Sequence, residues 1–267
     1  MNKKIEQEVI HRVKKDPYSL RYVKEQTETA CLVAVKEEGC IIKHVYDQTE
    51  EVCLEAVKQN GRALEFVKDQ TEEICLAAVK QNGYALQYVK DQTEEICLSA
   101  VEEDGQVLEY VNAQTPKICL AAVKQNGYSL EYVKNQTEAV CLAAVKRDGE
   151  ALKYVKNQTE KICLEAVKRN GMALKYVNNQ TDSICREALK NNFNASFRLV
   201  IIKNNSTALI LLEAFLQHRK DKSILTEIIK KFSKYEEIVD FYTKHNLWKY
   251  VDSNKLNDKL IKYGMTI

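Results

Sequence analysis

Proline is almost missing from this chain: Pro17 and Pro116 are the only two in 267 residues. So few breaks suit a helical array and argue against a loop-rich fold. No run of about 18 apolar residues occurs, so the sequence offers no membrane span. The start, MNKKIEQEVIHRVKK, lacks the apolar core of a signal peptide. A soluble, cytoplasmic protein is expected. The four histidines (His11, His44, His218 and His245) are scattered, and Cys-x-x-Cys does not occur. Zinc therefore has no local signature. None of the eight glycines belongs to a phosphate-binding loop. No catalytic constellation, metal site or cofactor is expected, and the chain reads as a non-enzyme.

What is present is repetition. From Thr27 to Gln180 a 22-residue pattern recurs without insertion or deletion. Cysteine stands at 31, 53, 75, 97, 119, 141, 163 and 185, and glycine at 39, 61, 83, 105, 127, 149 and 171. A Gln-Thr pair opens each unit, from 26/27 to 180/181. A fixed period of this length marks stacked repeats, in which each unit buries its apolar face against its neighbours. The expected fold is all-α, an α-solenoid of two-helix repeats.

The unit Thr71–Gln92 divides into two helices. Thr71 suits an N-cap, Glu72 and Glu73 complement the positive end of the helix dipole, and Lys80 the negative end. Asn82-Gly83 is expected to stop helix A, with glycine in the left-handed conformation past the C-terminus. A shorter helix B then runs over 84–91. At about 100° per residue, Ile74, Ala78, Cys75, Val79 and Leu76 form the buried arc of helix A. Ala85, Leu86 and Val89 form that of helix B. The eight periodic cysteines read as a reduced apolar ladder, since stacked helices about 8–10 Å apart cannot bring their sulfurs to bonding distance. Cys40 lies outside the ladder. The Gln-Thr glutamines are placed to bond main-chain groups at the B-to-A corner, as a ladder along the array.

In chain order, residues 1–26 are a degenerate N-terminal capping repeat, with Pro17 in the glycine position. Seven regular repeats fill 27–180, and 181–202 is a degenerate repeat. From 203 to 267 the period is lost while helical signals continue, either as a cap over the last repeat or as a separate module. Ser206 or Thr207 caps the apolar run ALILLEAFLQ there, and Ser233 opens a capping box.

The unit ICLAAVKQNGYALQYVKDQT resembles the two-helix repeats of a domain-of-unknown-function family that is abundant in giant DNA viruses of amoebae and occurs in some intracellular bacteria. The likeness covers roughly residues 5–202 through the Cys-Leu-x-Ala-Val run, the Asn/Asp-Gly stop and the Leu-x-Tyr-Val that follows. It implies an α-helical repeat protein of viral setting, and it carries no functional residues over.

Function must then be read from positions that vary on a copied scaffold. One column reads Cys40, Arg62, Tyr84, Gln106, Tyr128, Glu150 and Met172, either solvent-exposed drift or contact chemistry. The shorter helix B is taken as the concave, binding side. A Tyr row (22, 88, 110, 132, 154, 176, with Phe66) favours packing over hydrogen bonding. Charge is lopsided: residues 27–114 hold 7 basic and 18 acidic side chains, and residues 115–202 hold 14 and 8. Glu102, Glu103 and Asp104 are the densest acidic cluster. The leading expectation is a protein-interaction scaffold whose partner carries a basic segment, contacting Arg62, Tyr84, Gln106, Tyr128, Glu150, Met172, Glu102, Glu103 and Asp104. A structural assembly protein and a weak nucleic-acid binder through 115–202 are the alternatives. Against the latter, Glu138, Glu150, Glu160 and Glu165 interleave the basic repeats.

Overall fold

Residues 3–192, 199–200, 210–211, 213–214 and 244 are described by a computed structural model of the chain. Every regular element among them is helical. Two compact units divide the chain, Met1–Arg147 and Asp148–Ile267. The first holds α1 (Lys3–Lys15), α2 (Glu28–Glu37), α3 (Glu50–Gln59), α4 (Glu72–Gln81), α5 (Glu94–Glu103), α6 (Pro116–Gln125) and α7 (Glu138–Arg147). Between them run six short helices: η1 (Pro17–Tyr22), η2 (Gly39–His44), η3 (Gly61–Phe66), η4 (Gly83–Tyr88), η5 (Gly105–Tyr110) and η6 (Gly127–Tyr132). The second unit holds η7 (Gly149–Tyr154), α8 (Glu160–Arg169), η8 (Gly171–Tyr176) and α9 (Asp182–Asn191). Within each unit an α-helix packs on the next α-helix and on the short helix of the preceding repeat. The all-α repeat architecture read from the period is the one observed.

The second helix of each repeat differs from expectation. It is a 3₁₀-helix of six residues that starts at the glycine, not an α-helix over 84–91. The tighter winding follows from its two ends. At the entry, Asn82 serves both helices: its N–H donates to the Ala78 carbonyl and its side chain accepts from the Tyr84 N–H at 3.0 Å. At the exit, the Val89 N–H donates three residues back to Leu86. A six-residue segment pinned at both corners closes bonds of the i to i+3 kind, which short runs tolerate.

The glycine has a different cause from the one expected. Asn82 ends α4 in extended backbone, φ −153° and ψ 110°, and Gly83 is not left-handed. What glycine supplies is room. A Cβ at Gly61 would stand 2.5 Å from the Ala78 carbonyl oxygen of the next repeat, and one at Gly39 or Gly105 would stand 2.4 Å from Ala56 or Ala122. The α-helix of each following repeat thus lies directly on the glycine backbone.

Thr71 caps α4 as read, accepting from the Ile74 N–H at 3.3 Å. The same hydroxyl position ties neighbours together: Thr49 donates to Glu28, Thr93 to Glu72 and Thr115 to Glu94. Ile74, Cys75, Ala78 and Val79 are buried, as are Ala85, Leu86 and Val89. Leu76 is only half-buried and belongs to the outer side of α4. All nine cysteines are free; eight are buried and Cys40 is half-exposed.

The glutamine ladder is real and more extensive than expected. Gln70 donates to its own repeat at the Leu64 carbonyl (3.3 Å) and to the next at the Tyr88 carbonyl (3.0 Å). Its oxygen accepts from the Lys90 N–H at 3.0 Å and from the Cys75 thiol at 3.8 Å. Gln26, Gln92 and Gln114 repeat the set. A second ladder stands at the other corner: Gln59 accepts from the Gly39 N–H at 2.7 Å and donates to the Glu37 carbonyl at 3.2 Å. Gln125 does the same for Gly105 and Glu103.

In the second unit Gln180 donates to the Leu199 carbonyl at 3.1 Å, and Arg186 pairs with Glu213. Ile210, Leu211 and Ala214 are buried. Apart from Lys244, the remainder of 203–267, including Ser206, Thr207, Ser233 and the helices expected after them, lies outside the described residues, as does Phe193.

Candidate interaction surfaces

The variable column occupies the second position of η2 to η8, and from it Arg62, Tyr84 and Glu150 reach the aromatic row of the next repeat. Tyr84 meets the Tyr110 ring edge-on, with centroids 6.1 Å apart. Burial, then the charge and hydrogen bond of Asp104, hold its hydroxyl above the usual pKa. Arg62 hydrogen-bonds the Tyr88 hydroxyl, which holds the guanidinium above its ordinary value. In the second unit Glu150 accepts from Asn170 at 3.3 Å, Lys175 at 3.2 Å and Tyr176 at 3.5 Å. The Tyr row therefore uses its hydroxyls as well as its rings. Tyr84, Tyr128, Glu150 and Met172 are half-buried, and Arg62 and Gln106 are exposed. The column is a set of links between repeats with one edge facing outward. Beside it on the 3₁₀ side of the first unit stand Glu65, Glu109 and Glu131, all exposed.

The acidic triplet does not form one cluster on that side. Asp104 caps η5, accepting from the Gln106 N–H at 2.9 Å. Glu103 stands where Gln59 and Gln125 bridge repeats, and among the described residues no acceptor meets the Gly83 N–H that a glutamine there would serve. Glu102 lies on the opposite, α-helical side. There it lines a groove of about 800 Å³ with Leu98, Lys117, Leu120, Ala121, Lys124 and Gln125.

The leucines that floor this α-side groove were not singled out from the sequence, which places Leu76 in the buried arc. The outward leucines repeat at 32, 54, 76, 98, 120 and 142, and each is half-buried. Their signal was positional: at about 100° per residue Leu76 falls at the margin of the buried arc. Next to them the chain places Ala77, Ser99, Ala121 and Ala143, where α3 has Glu55 paired with Lys36 and Lys58.

The cysteines are not chemically poised. Burial, followed by the charges of Asp47 and Glu28, pushes the Cys31 thiol up to about 11, and burial likewise pushes Cys53 up to about 11. A thiol held neutral is a poor nucleophile. No helix among the described residues is long and apolar enough to cross a membrane.

The sequence profile of a family described as Domain of unknown function (DUF4116) matches residues 49–94, 71–114, 93–137, 116–159 and 138–182. The overlapping matches advance by about one 22-residue repeat at a time. No curated protein and no solved structure matches the chain.

Proposed function

The chain belongs to the DUF4116 family, and from that premise we propose that it is a non-enzymatic protein-interaction scaffold. The observation that carries the reading is the contrast on the 3₁₀ side of the first unit. Backbone positions there are pinned repeat by repeat through glutamine hydrogen bonds. The outward positions Arg62, Tyr84, Gln106 and Tyr128 meanwhile differ in every repeat but one pair. A rigid scaffold lowers the entropy cost of binding, and half-buried tyrosines supply anchors that lose little freedom. Glu65, Glu109 and Glu131 favour a partner segment that is basic. The proposed setting is that of a giant virus of amoebae, with the protein acting in host cytoplasm. Nucleic acid is the weaker reading, because basic residues of the second unit are partly neutralised by Glu165, Glu150 and Glu187.

Affinity capture by the full chain, followed by binding kinetics of the captured partner, tests this. Reversing Glu65, Glu109 and Glu131 to lysine should slow association and flatten its salt dependence, while Tyr84→Ala should speed dissociation. A partner that binds both variants with wild-type kinetics refutes the 3₁₀-side assignment. Capture of nucleic acid with a steep salt dependence would favour the basic-surface alternative.

A further inference from the structure

We propose that the α-helical side of the first unit is a self-association surface. A second copy docks on it about a two-fold axis that runs parallel to the helices through the groove between α5 and α6. This is independent of the 3₁₀-side reading, which uses the opposite side of the repeats.

The floor of the groove is apolar: Leu98, Leu120 and Ala121 are half-buried, with nothing among the described residues packed over them. The apolar strip continues to α4 through Leu76 and Ala77 and to α7 through Leu142 and Ala143. It ends at α3, where Glu55 and its two lysines take the same positions. Four exposed charges flank this floor: Glu102 on α5 and Lys117 and Lys124 on α6 line the groove, and Glu95 stands on α5 at the position that Lys117 holds on α6. None of the four has an ion-pair partner among the described residues.

These charges stand at equivalent repeat positions, since 95 and 117 differ by one period, as do 102 and 124. A two-fold axis parallel to the helices reverses the order of the helices but preserves height along them. It lays α5 on α6 of the second copy. Glu95 then faces Lys117 of the second copy, Glu102 faces Lys124, and Leu98 faces Leu120, each contact made twice. The other face-to-face arrangement turns about an axis along the row of helices. It would lay α5 antiparallel on itself and bring Glu95 towards Glu102 of the second copy, a like-charge contact. The charge pattern therefore selects one orientation as well as one occupant. At the rim, Lys80 faces Lys146 of the second copy, where solvent screens the repulsion.

The expected interface is small. Ten-residue helices about 15 Å long, spaced about 8–10 Å apart, give four helices a patch of roughly 500–600 Å² per copy. The total, on the order of 1,000–1,200 Å², falls at the lower edge of specific interfaces. Dimerisation should accordingly be concentration-dependent and weakened by salt.

Sedimentation velocity of the full chain over a wide concentration range tests this. Wild type should pass from monomer to dimer. The double variant Glu95→Lys with Glu102→Lys should associate at least about tenfold more weakly, because four attractive pairs become four repulsive ones. Lys117→Glu with Lys124→Glu should behave the same way. An equimolar mixture of the two doubles should pair as a heterodimer, which also shows that both are folded. If either reversed double fails to fold, Glu95→Gln with Glu102→Gln replaces it and should weaken the dimer. A wild type that stays monomeric, a dimer indifferent to these substitutions, or a mixture of folded doubles that does not pair overturns the proposal.

Discussion

Substituting alanine for two glycines one repeat apart separates two explanations of why glycine recurs. If glycine supplied a left-handed backbone, Gly61→Ala and Gly83→Ala would cost alike. If it supplies clearance, they differ. At Gly61 the new Cβ stands 2.5 Å from the Ala78 carbonyl oxygen, 2.9 Å from the Gln81 side chain and 3.1 Å from Asn82. At Gly83 the nearest atom is the Ala100 carbonyl oxygen at 2.9 Å, and the next is a Val107 methyl at 3.4 Å. Against a floor of 3.0 Å, the first is short by 0.5 Å on backbone and the second by 0.1 Å.

Gly61→Ala also crowds the 2.6 Å bond from its N–H to Gln81. Overpacking costs about 1–3 kcal/mol and a weakened hydrogen bond about 0.5–1.5 kcal/mol. The smaller entropy of the unfolded chain returns about 0.4–1 kcal/mol. The expected net loss is about 2–3 kcal/mol at Gly61 and about 0–1 kcal/mol at Gly83. Thermal unfolding followed by circular dichroism should show Tm falling by roughly 4–10 °C for Gly61→Ala and little for Gly83→Ala. Equal losses would refute the clearance argument.

Gln70→Leu strands the Tyr88 carbonyl and the Lys90 N–H, and should cost about 2–3 kcal/mol in urea unfolding. Gln87→Ala, at an exposed position, should cost under about 0.5 kcal/mol; similar losses would deny the ladder its role. Glu103→Gln should restore the bridge that Gly83 lacks, raising stability by about 0.5–1.5 kcal/mol and slowing hydrogen exchange at the Gly83 amide, and unchanged exchange would count against it. Buried thiols raised from 9.0 to about 11 at Cys31 and Cys53 keep the folded state protonated where the unfolded state ionises. Their stabilisation is complete below pH 9.0 and lost as pH rises through about 11. Cys53→Ala should shrink the loss between pH 8 and pH 10 relative to wild type, and an identical slope would refute the linkage. With a thiol reagent at neutral pH, half-exposed Cys40 should label before the buried eight, and simultaneous labelling of all nine would contradict their burial.

Much of this fold was legible because the repeat averages over its own noise. Thr at the head of every α-helix from α2 to α9, Cys and Ala facing inward, and Gln at the corner recur often enough that their roles show without a partner in view. The helix type was not legible. Six residues between Asn82 and Val89 carry the same apolar spacing in an α-turn or a 3₁₀-turn, and the choice is made by side chains that close the corners from neighbouring repeats. The glycine was assigned the wrong cause for a related reason. A helix stop is a local property, whereas clearance for the Ala100 carbonyl comes from another repeat. The outward column was read as free surface, yet Arg62 and Tyr84 hold the aromatic row of the next repeat. Its variety is partly that of matched pairs, such as Tyr84 with Asp104 and Glu150 with Lys175.

The acidic triplet holds three substitutions with three different consequences. Neighbouring repeats have Lys-Gln-Asn where this one has Glu102-Glu103-Asp104. Asp for Asn keeps the one acceptor that caps the 3₁₀-helix, so that change leaves the corner intact. Glu for Gln loses the donor that bridges repeats elsewhere, and its carboxylate does not take up the glycine N–H as Gln59 and Gln125 do. It thereby removes a restraint from the joint between α4 and α5. Glu for Lys makes no ion pair among the described residues. Of three changes that look alike in sequence, one is neutral to the scaffold, one weakens it, and one leaves a charge with no ion pair among the described residues. Glu102 is therefore the member of the triplet from which an interaction should be sought, on the α-helical side and beside Leu98 and Leu120.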